Sequence, residues 1–368
     1  MGLVGLALVF VLLVLGFHGG AAEVGKCYFP AIFNFGDSNS ATGASLSPPN
    51  GQTFFGKPSG RASDGRLVID FLAETLGLPY LSPYSESAGN NYRHGANFAA
   101  GGATIRPQNS GSFSPPSLNV QFGQFLQFKK LTSDHYGQGI SNLSVRAFFP
   151  DNYPQPEDFA NALYTLDIGQ NDLNAGFQSM SEDQLLATLP DTVNQFSQDV
   201  HQLYEAGARR FWIHNTGPVG CLPNSVIYYP NKPNNLDQFG CVNPQNEAAK
   251  EFNRELKDTV NKLRENLPDA AFTYVDVYTA KYALISDAQK QGFVEPFKFC
   301  CGRYQEGGQV IRCGAEGSST CEDPSKFVSW DGAHYTEAAN KGIANHILYG
   351  GLSDTGASVF QACYRSMH

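Results

Sequence analysis

Four apolar runs of strand length constrain the architecture of this chain: "AIFNF" at Ala31 to Phe35, "ALYTLDI" at Ala162 to Ile168, "FWIH" at Phe211 to His214 and "AFTYVDV" at Ala271 to Val277. Each is continuous, the pattern of a strand covered on both faces, whereas a strand with one wet face alternates apolar and polar residues. Helical patterns lie between and beside them. Asp64 to Leu76 carries Leu67, Phe71 and Leu72 at helical spacing; Asp183 to Ala206 and Asn246 to Leu267 do likewise, the last closed by Pro268. Strands alternating with helices predict an α/β fold with a central, mainly parallel sheet and helices on both faces. The loop-rich segments Ser40 to Ser63, Ser82 to Asn91, Asn224 to Cys241 and Cys300 to Ser325 are expected as insertions at the sheet edges. No charge run, low-complexity linker or internal repeat divides the chain, so residues 23–368 are expected to form a single domain.

Ahead of that domain, residues 1–22 hold one apolar block, Leu3 to Phe17, followed by "HGGAA", with Gly20 and Ala22 placed for cleavage before Glu23. This is the layout of a secretory signal peptide, although its start carries no Lys or Arg. The block falls short of the roughly 20 apolar residues that span a bilayer, so no stable membrane insertion is expected. A formal charge of −9, with no cluster of basic residues, sets nucleic-acid binding aside, because that affinity comes mostly from Lys and Arg at phosphates. All eight cysteines lie beyond residue 22, and an even number in a secreted chain suggests disulfides. Connectivity stays open, but adjacent Cys300 and Cys301 are each expected to bond a distant partner. Asn142 begins the sequon "NLS" and is a glycosylation candidate.

In open parallel sheets, ligands bind beyond the carboxyl ends of the strands. There, directly after the first apolar run, stands "FGDSNSATG", with Ser38 at its centre. The Gly-x-Ser-x-Gly elbow is absent, since Ser40 occupies the second glycine position, so this is not an ordinary α/β-hydrolase. No His-Glu-x-x-His supports zincin chemistry, and "GQTFFGKP" fails as a phosphate loop because Pro58 replaces the Ser or Thr that would hold magnesium. A serine hydroxyl needs a base, and the base needs an acceptor on its second nitrogen. "WDGAHYTEAAN" offers His334 and Asp331; Asp134-His135 is a competing pair in what reads as an exposed loop. Donors for a developing oxyanion are available from Gly101 and Gly102 in "GANFAAGGATI" and from the Asn171 amide in "IGQND". Taken singly, each of these stretches also reads as a turn or a cap.

Together and in order, the four stretches resemble the four blocks of the GDSL-type SGNH hydrolases. Length, leader and "FFGKPSGRASDGRLVIDFLAETLGLP", Phe54 to Pro79, are similar to the plant secreted branch of that family, near its nodulin-like and acetylesterase-like members. The resemblance implies a three-layer sandwich of flavodoxin-like SGNH hydrolase type. It implies Ser38 as nucleophile, His334 as base oriented by Asp331, and an oxyanion hole from the Ser38 and Gly102 amides and the Asn171 side chain. It implies an ester hydrolase working through an acyl-enzyme without a cofactor, secreted to the apoplast or cell wall. Three positions depart from the common pattern: Asn39 for the leucine of GDSL, Tyr335 for the proline after the histidine, and Gln170 for a frequent glycine. Polar residues in the loops near Ser38 favour acetyl or other short-acyl esters of a sugar, glycoside or small metabolite. A long-chain lipase, or a non-catalytic secreted binding or storage protein, remains the alternative.

Overall fold

The structure is a computed structural model, and it describes residues 25–43, 47–85, 90–109, 115–137, 152–228, 235–304 and 309–364. Residues 1–22 and Asn142 lie outside these. Its elements are β1 (Ile32–Gly36), α1 (Val68–Thr75), β2 (Gly95–Asn97), α2 (Leu118–Gly137), α3 (Asp158–Asn161), β3 (Leu163–Asp167), α4 (Gln170–Ser179) and α5 (Glu182–Glu205). There follow β4 (Arg210–His214), α6 (Pro223–Tyr228), α7 (Asn243–Asn266), β5 (Ala271–Val275), α8 (Val277–Ser286), the two-residue strands β6 (Arg303–Tyr304) and β7 (Val310–Ile311), and α9 (Glu337–Ile347).

β1 to β5 pair in parallel in the order β2-β1-β3-β4-β5. Alternate side chains of these strands feed two separate cores, which is why the runs in the sequence are unbroken. Phe33, Phe35, Tyr164, Leu166, Phe211, Ile213 and Phe272 pack on one face with residues of α2, α5 and α7. Ile32, Leu163, Trp212 and Val275 pack on the other with α1, α8 and α9. Phe33 alone lies 5.0 Å from Phe159 in a stacked pair and 5.1 Å from Phe125 edge-on. Each such ring removes enough apolar surface from water to stabilise the fold by about 1.5–3 kcal/mol.

Several elements escape the sequence reading: α4 and α8 carry no expected helix, and α6 and the β6–β7 pair fall in segments expected as loops; β2 and α2 show why. β2 has only three residues, at the start of "GANFAAGG", where no apolar run marks it. α2 buries Leu118, Phe122 and Phe125 yet exposes Val120, Leu126 and Leu131, so its apolar residues form no single stripe. Asp134 and His135 therefore sit in the last turn of a helix and not in a loop, and Asp134 pairs with Lys130 one turn earlier at 2.6 Å.

The cysteines form Cys27–Cys363, Cys221–Cys241, Cys300–Cys321 and Cys301–Cys313. As expected, neither Cys300 nor Cys301 bonds its neighbour. Among the described residues no helix is long and apolar enough to cross a membrane. The strand order places β1 between β2 and β3, so the connections leaving β1 and β2 run in opposite directions across the sheet. A crevice opens at such a reversal, beyond the carboxyl ends of β1 and β3.

Candidate active site

Ser38 lies two residues past the end of β1. The turn that carries it is fixed from below. Gly36 has φ +146°, and a Cβ there would lie 2.1 Å from the Asp167 carbonyl oxygen, so only glycine lets the strand end so close to β3. Gln121 of α2 donates to the Gly36 carbonyl oxygen at 2.8 Å and accepts from its N–H at 2.9 Å. A buried polar ladder crosses three strands in register. Thr165 Oγ1 donates to Asn34 Oδ1 at 2.7 Å, Asn34 Nδ2 donates to Asn97 Oδ1 at 2.8 Å, and Asn97 Nδ2 donates to the Ser40 carbonyl oxygen at 2.7 Å. Buried amides stay only where they are satisfied, so the ladder ties the turn after Ser38 to the sheet.

The Ser38 Oγ stands 2.8 Å from His334 Nε2, and His334 Nδ1 stands 2.7 Å from Asp331 Oδ2. Asp331 Oδ1 accepts from the backbone N–H groups of Ala333 and His334 at 3.0 and 2.9 Å, which folds the three-residue spacing into a tight loop. Both side chains are 20% exposed. Burial opposes a charge on His334, but the adjacent Asp331 carboxylate outweighs it and holds the imidazole above the ordinary histidine value of 6.5. Burial likewise raises Asp331, yet the charge and hydrogen bond of His334 leave its carboxyl below the usual range. With Nδ1–H directed at a carboxylate, the free Nε2 lone pair faces the serine hydroxyl, the arrangement that lets a hydroxyl lose its proton as it attacks.

The loop bearing this pair belongs to no helix or strand and is tied from outside. Cys300 and Cys301 N–H groups donate to the Ser329 and Trp330 carbonyl oxygens at 3.1 and 2.6 Å. The Trp330 indole donates to Asn50 Oδ1 at 2.8 Å, Asn224 N–H to the Gly332 carbonyl oxygen at 3.0 Å, and Ser63 Oγ to the Tyr335 carbonyl oxygen at 2.9 Å. Thr336 then caps α9 through the Ala339 N–H.

Gly101 and Gly102 form a turn after β2; a Cβ on Gly101 would lie 4.0 Å from that of Ser38, and Gly102 has φ +79°. Asn171 opens α4 just past β3 and donates from Nδ2 to the Ala103 carbonyl oxygen at 3.0 Å. Asp172 accepts from the N–H groups of Ile105 and Arg106 at 2.8 and 3.1 Å, binding the start of α4 to the glycine stretch. The structure thus gathers Ser38, Asp331 and His334 into one hydrogen-bonded series and brings the Gly101-Gly102 and Asn171 segments to the same rim.

Several neighbours carried no separable signal. Asp37 is fully buried, and burial first, then the Asp167 carboxylate, push its carboxyl up to about 7. Burial also works against ionised Asp167, but the hydrogen bond from His214 and the charge of buried Lys281 keep it below its usual range. His214 Nε2 accepts from the Trp212 indole at 3.0 Å, which assigns its proton to Nδ1, 3.1 Å from Asp167 Oδ2. Asp167 and His214 close strands β3 and β4, so in the sequence they read only as the ends of apolar runs. Of the three departures, Asn39 turns onto Asp37, Gln170 lies buried 3.5 Å from the Asn39 amide, and the Tyr335 ring lies beneath the Lys281 ammonium at 4.9 Å.

Residues 32–347 match the family described as GDSL-like lipase/acylhydrolase. A GDSL esterase/lipase of Arabidopsis thaliana is 52% identical over 92% of this chain and 90% of its own length. The GDSL esterase/lipase ACHE of Zea mays is 47% identical over 94% and 91%. A further Arabidopsis thaliana relative, named alpha-L-fucosidase 3, is 44% identical over 94% and 97%.

Proposed function

The chain belongs to the GDSL-like lipase/acylhydrolase family, and from that membership we propose that it hydrolyses acetyl or other short-acyl esters of a sugar, glycoside or similar small metabolite through a Ser38 acyl-enzyme. That it is an ester-hydrolysing serine hydrolase follows from its relatives; the residue roles and the substrate are our reading. The observation that supports the roles is the series Ser38 Oγ, His334 Nε2, His334 Nδ1 and Asp331 Oδ2, with steps of 2.8 and 2.7 Å.

His334 Nε2 takes the Ser38 proton as Oγ attacks the ester carbonyl carbon, and Asp331 stabilises the imidazolium that results. The tetrahedral oxyanion rests on the Ser38 and Gly102 N–H groups and the Asn171 amide. The imidazolium returns its proton to the departing alkoxide, leaving an ester on Ser38. Water, deprotonated by the same imidazole, then releases the acid. A glycosidase would need two available carboxyl groups across the bond, whereas both Asp331 oxygens are occupied by His334 and the loop amides. The polar pair Asn39 and Gln170 beside the nucleophile supports a short acyl group over a long chain.

Ser38→Ala should lower p-nitrophenyl acetate turnover by about 10⁴-fold or more and abolish labelling by a fluorophosphonate, with the melting transition retained. Full activity in that variant overturns the assignment, and a folded wild-type protein that neither labels nor turns over is a binding or storage protein. Rates on a series of p-nitrophenyl esters should peak at short acyl length; a peak beyond about eight carbons points to a lipase. Secretion is supported by the leader-like residues 1–22 and the four disulfides, and N-terminal sequencing of exported protein should begin at Glu23.

A further inference from the structure

We propose that Asp37, the residue before the nucleophile, is a positioning residue that fixes which end of the Asn171 carboxamide faces the reacting ester. The inference rests on the reading of Asn171 as an oxyanion donor. Every polar group of Asp37 is engaged. Its N–H donates to the Asp167 carbonyl oxygen at 3.1 Å, and its own carbonyl oxygen accepts from Ser40 and Ala41 at 3.2 and 3.0 Å. Carboxylate Oδ1 accepts from the N–H and the side-chain amide of Asn39 at 2.8 and 2.9 Å, and Oδ2 accepts from Asn171 Nδ2 at 3.4 Å. The side chain is fully buried, so no bulk water substitutes for these partners.

A carboxamide is nearly symmetric in shape, and only its hydrogen-bond partners decide whether nitrogen or oxygen occupies a given place. Asn171 Nδ2 meets two acceptors, the Ala103 carbonyl oxygen at 3.0 Å and Asp37 Oδ2 at 3.4 Å. Rotating the amide by half a turn would set its oxygen against both acceptors, one of them a buried carboxylate, where like partial charges repel strongly in a low dielectric. The donor end is therefore held toward the site before any ester arrives. The two bonds are unequal, and the inequality is useful. The short one anchors the amide, while the second hydrogen, in a bond near the outer limit for this pair of atoms, is free to move to an oxyanion as negative charge develops. Asp37 thus orients the donor without competing strongly for it. Its other oxygen, fastened to Asn39, keeps the carboxylate from turning away.

Asp37→Asn preserves shape and reverses this preference. With Asn39 donating to its oxygen, the new side chain presents an NH₂ group to Asn171, which then favours turning its own oxygen there. The experiment measures kcat and KM on p-nitrophenyl acetate for Asp37→Asn, Asn171→Ala and the double variant, at a pH well above 7 so that the wild-type carboxylate is ionised. Asn171→Ala should lose about 10²–10³ in kcat. Asp37→Asn should approach that loss with little change in KM, and the double variant should fall no more than about threefold below Asn171→Ala, because the two changes remove one interaction. Losses that multiply, or a wild-type kcat in Asp37→Asn, overturn the proposal. If Asp37→Asn shows no cooperative melt, Asn39→Ala replaces it. That variant should lose about threefold to tenfold in kcat alone and nothing further in the Asn171→Ala background, and an undiminished loss there overturns the proposal equally. An Asn171→Ala protein of full activity removes the oxyanion reading itself, whereas a strongly impaired Asn171→Ala whose loss multiplies with that of Asp37→Asn removes only the role of Asp37.

Discussion

The two halves of the site are held by different physics. Ser38, Gly102 and Asn171 each follow the carboxyl end of one of three neighbouring parallel strands, β1, β2 and β3. Their spacing derives from strand register and from the Asn97–Asn34–Thr165 ladder inside the sheet. Asp331 and His334 sit on a loop whose ties arrive from distant parts of the chain: the disulfide-bonded Cys300 and Cys301 backbone, Asn50, Ser63 and Asn224. The ties between strands that support the sheet half belong to the cooperative core, so cutting them should lower global stability. The loop half can loosen while the core stays folded, so disturbing it should lower turnover first.

The sharpest break comes from Asp331→Asn. It keeps the shape of the loop but removes the anion that fixes the imidazole tautomer, and the expected loss in kcat/KM is about 10⁴-fold. The pH profile gives the sign. Catalysis needs neutral His334, whose pKa the Asp331 carboxylate raises against the opposing effects of burial and of Lys281, with Asp37 adding to the rise. Wild-type activity should therefore climb with pH through a midpoint above 6.5, and in Asp331→Asn the residual activity should show that limb at lower pH. Because Asp37 ionises near 7 in the same window, the two profiles are compared in an Asp37→Asn background, where an unmoved limb between pH 5 and 9 would detach Asp331 from the base.

Removing the Cys301–Cys313 bridge as a double Ser variant tests the same half less directly. The bridge closes a 12-residue separation beside Trp330, so the expected effect is about 2–3 kcal/mol of stability in the surrounding segment. Hydrogen exchange should quicken at Trp330 to His334, and kcat should fall about tenfold, while the amides of β1 and β3 keep their protection. Equal loosening of loop and sheet would erase the distinction between the halves.

The same contrast explains what could be read in advance. Strands β1, β3, β4 and β5 announce themselves through largely apolar runs, because burial on both faces admits a polar residue only where, as at Asn34 and Thr165, its groups find partners inside the sheet. β2 does not, since three residues that begin with a glycine owe their strand geometry to pairing with β1. Ser38, Asp331, His334 and Asn171 were visible because each lies in a short stretch of unusual composition and the order of those stretches resembles a known family. The ladder, the Asp167–His214 pair and the anchoring of the loop at Asn50 and Asn224 were not, because each joins residues 47 or more positions apart whose types are ordinary for the element they occupy. Local pattern reports where chemistry sits; long-range satisfaction of buried polar groups, which holds it there, leaves no local mark.

The mildest change tests the sheet half. Thr165→Val keeps volume and β-branching at a residue 2% exposed, but withdraws the hydroxyl that donates to Asn34 Oδ1 at 2.7 Å. Asn34 Nδ2 still reaches Asn97 and the Ser40 hydroxyl, so the turn bearing Ser38 keeps its other ties. The expected result is a loss of about 1–3 kcal/mol in urea unfolding, the penalty of one buried acceptor left without its donor, with kcat at 25 °C within about twofold of wild type. The supports of the two halves would then respond differently: turnover falls when the ties of the loop are cut, and stability alone falls when the ladder is cut. If Thr165→Val instead lowered kcat tenfold at unchanged stability, the ladder would be part of the positioning machinery, and the division between a sheet that holds and a loop that tunes would have to be redrawn at Asn34.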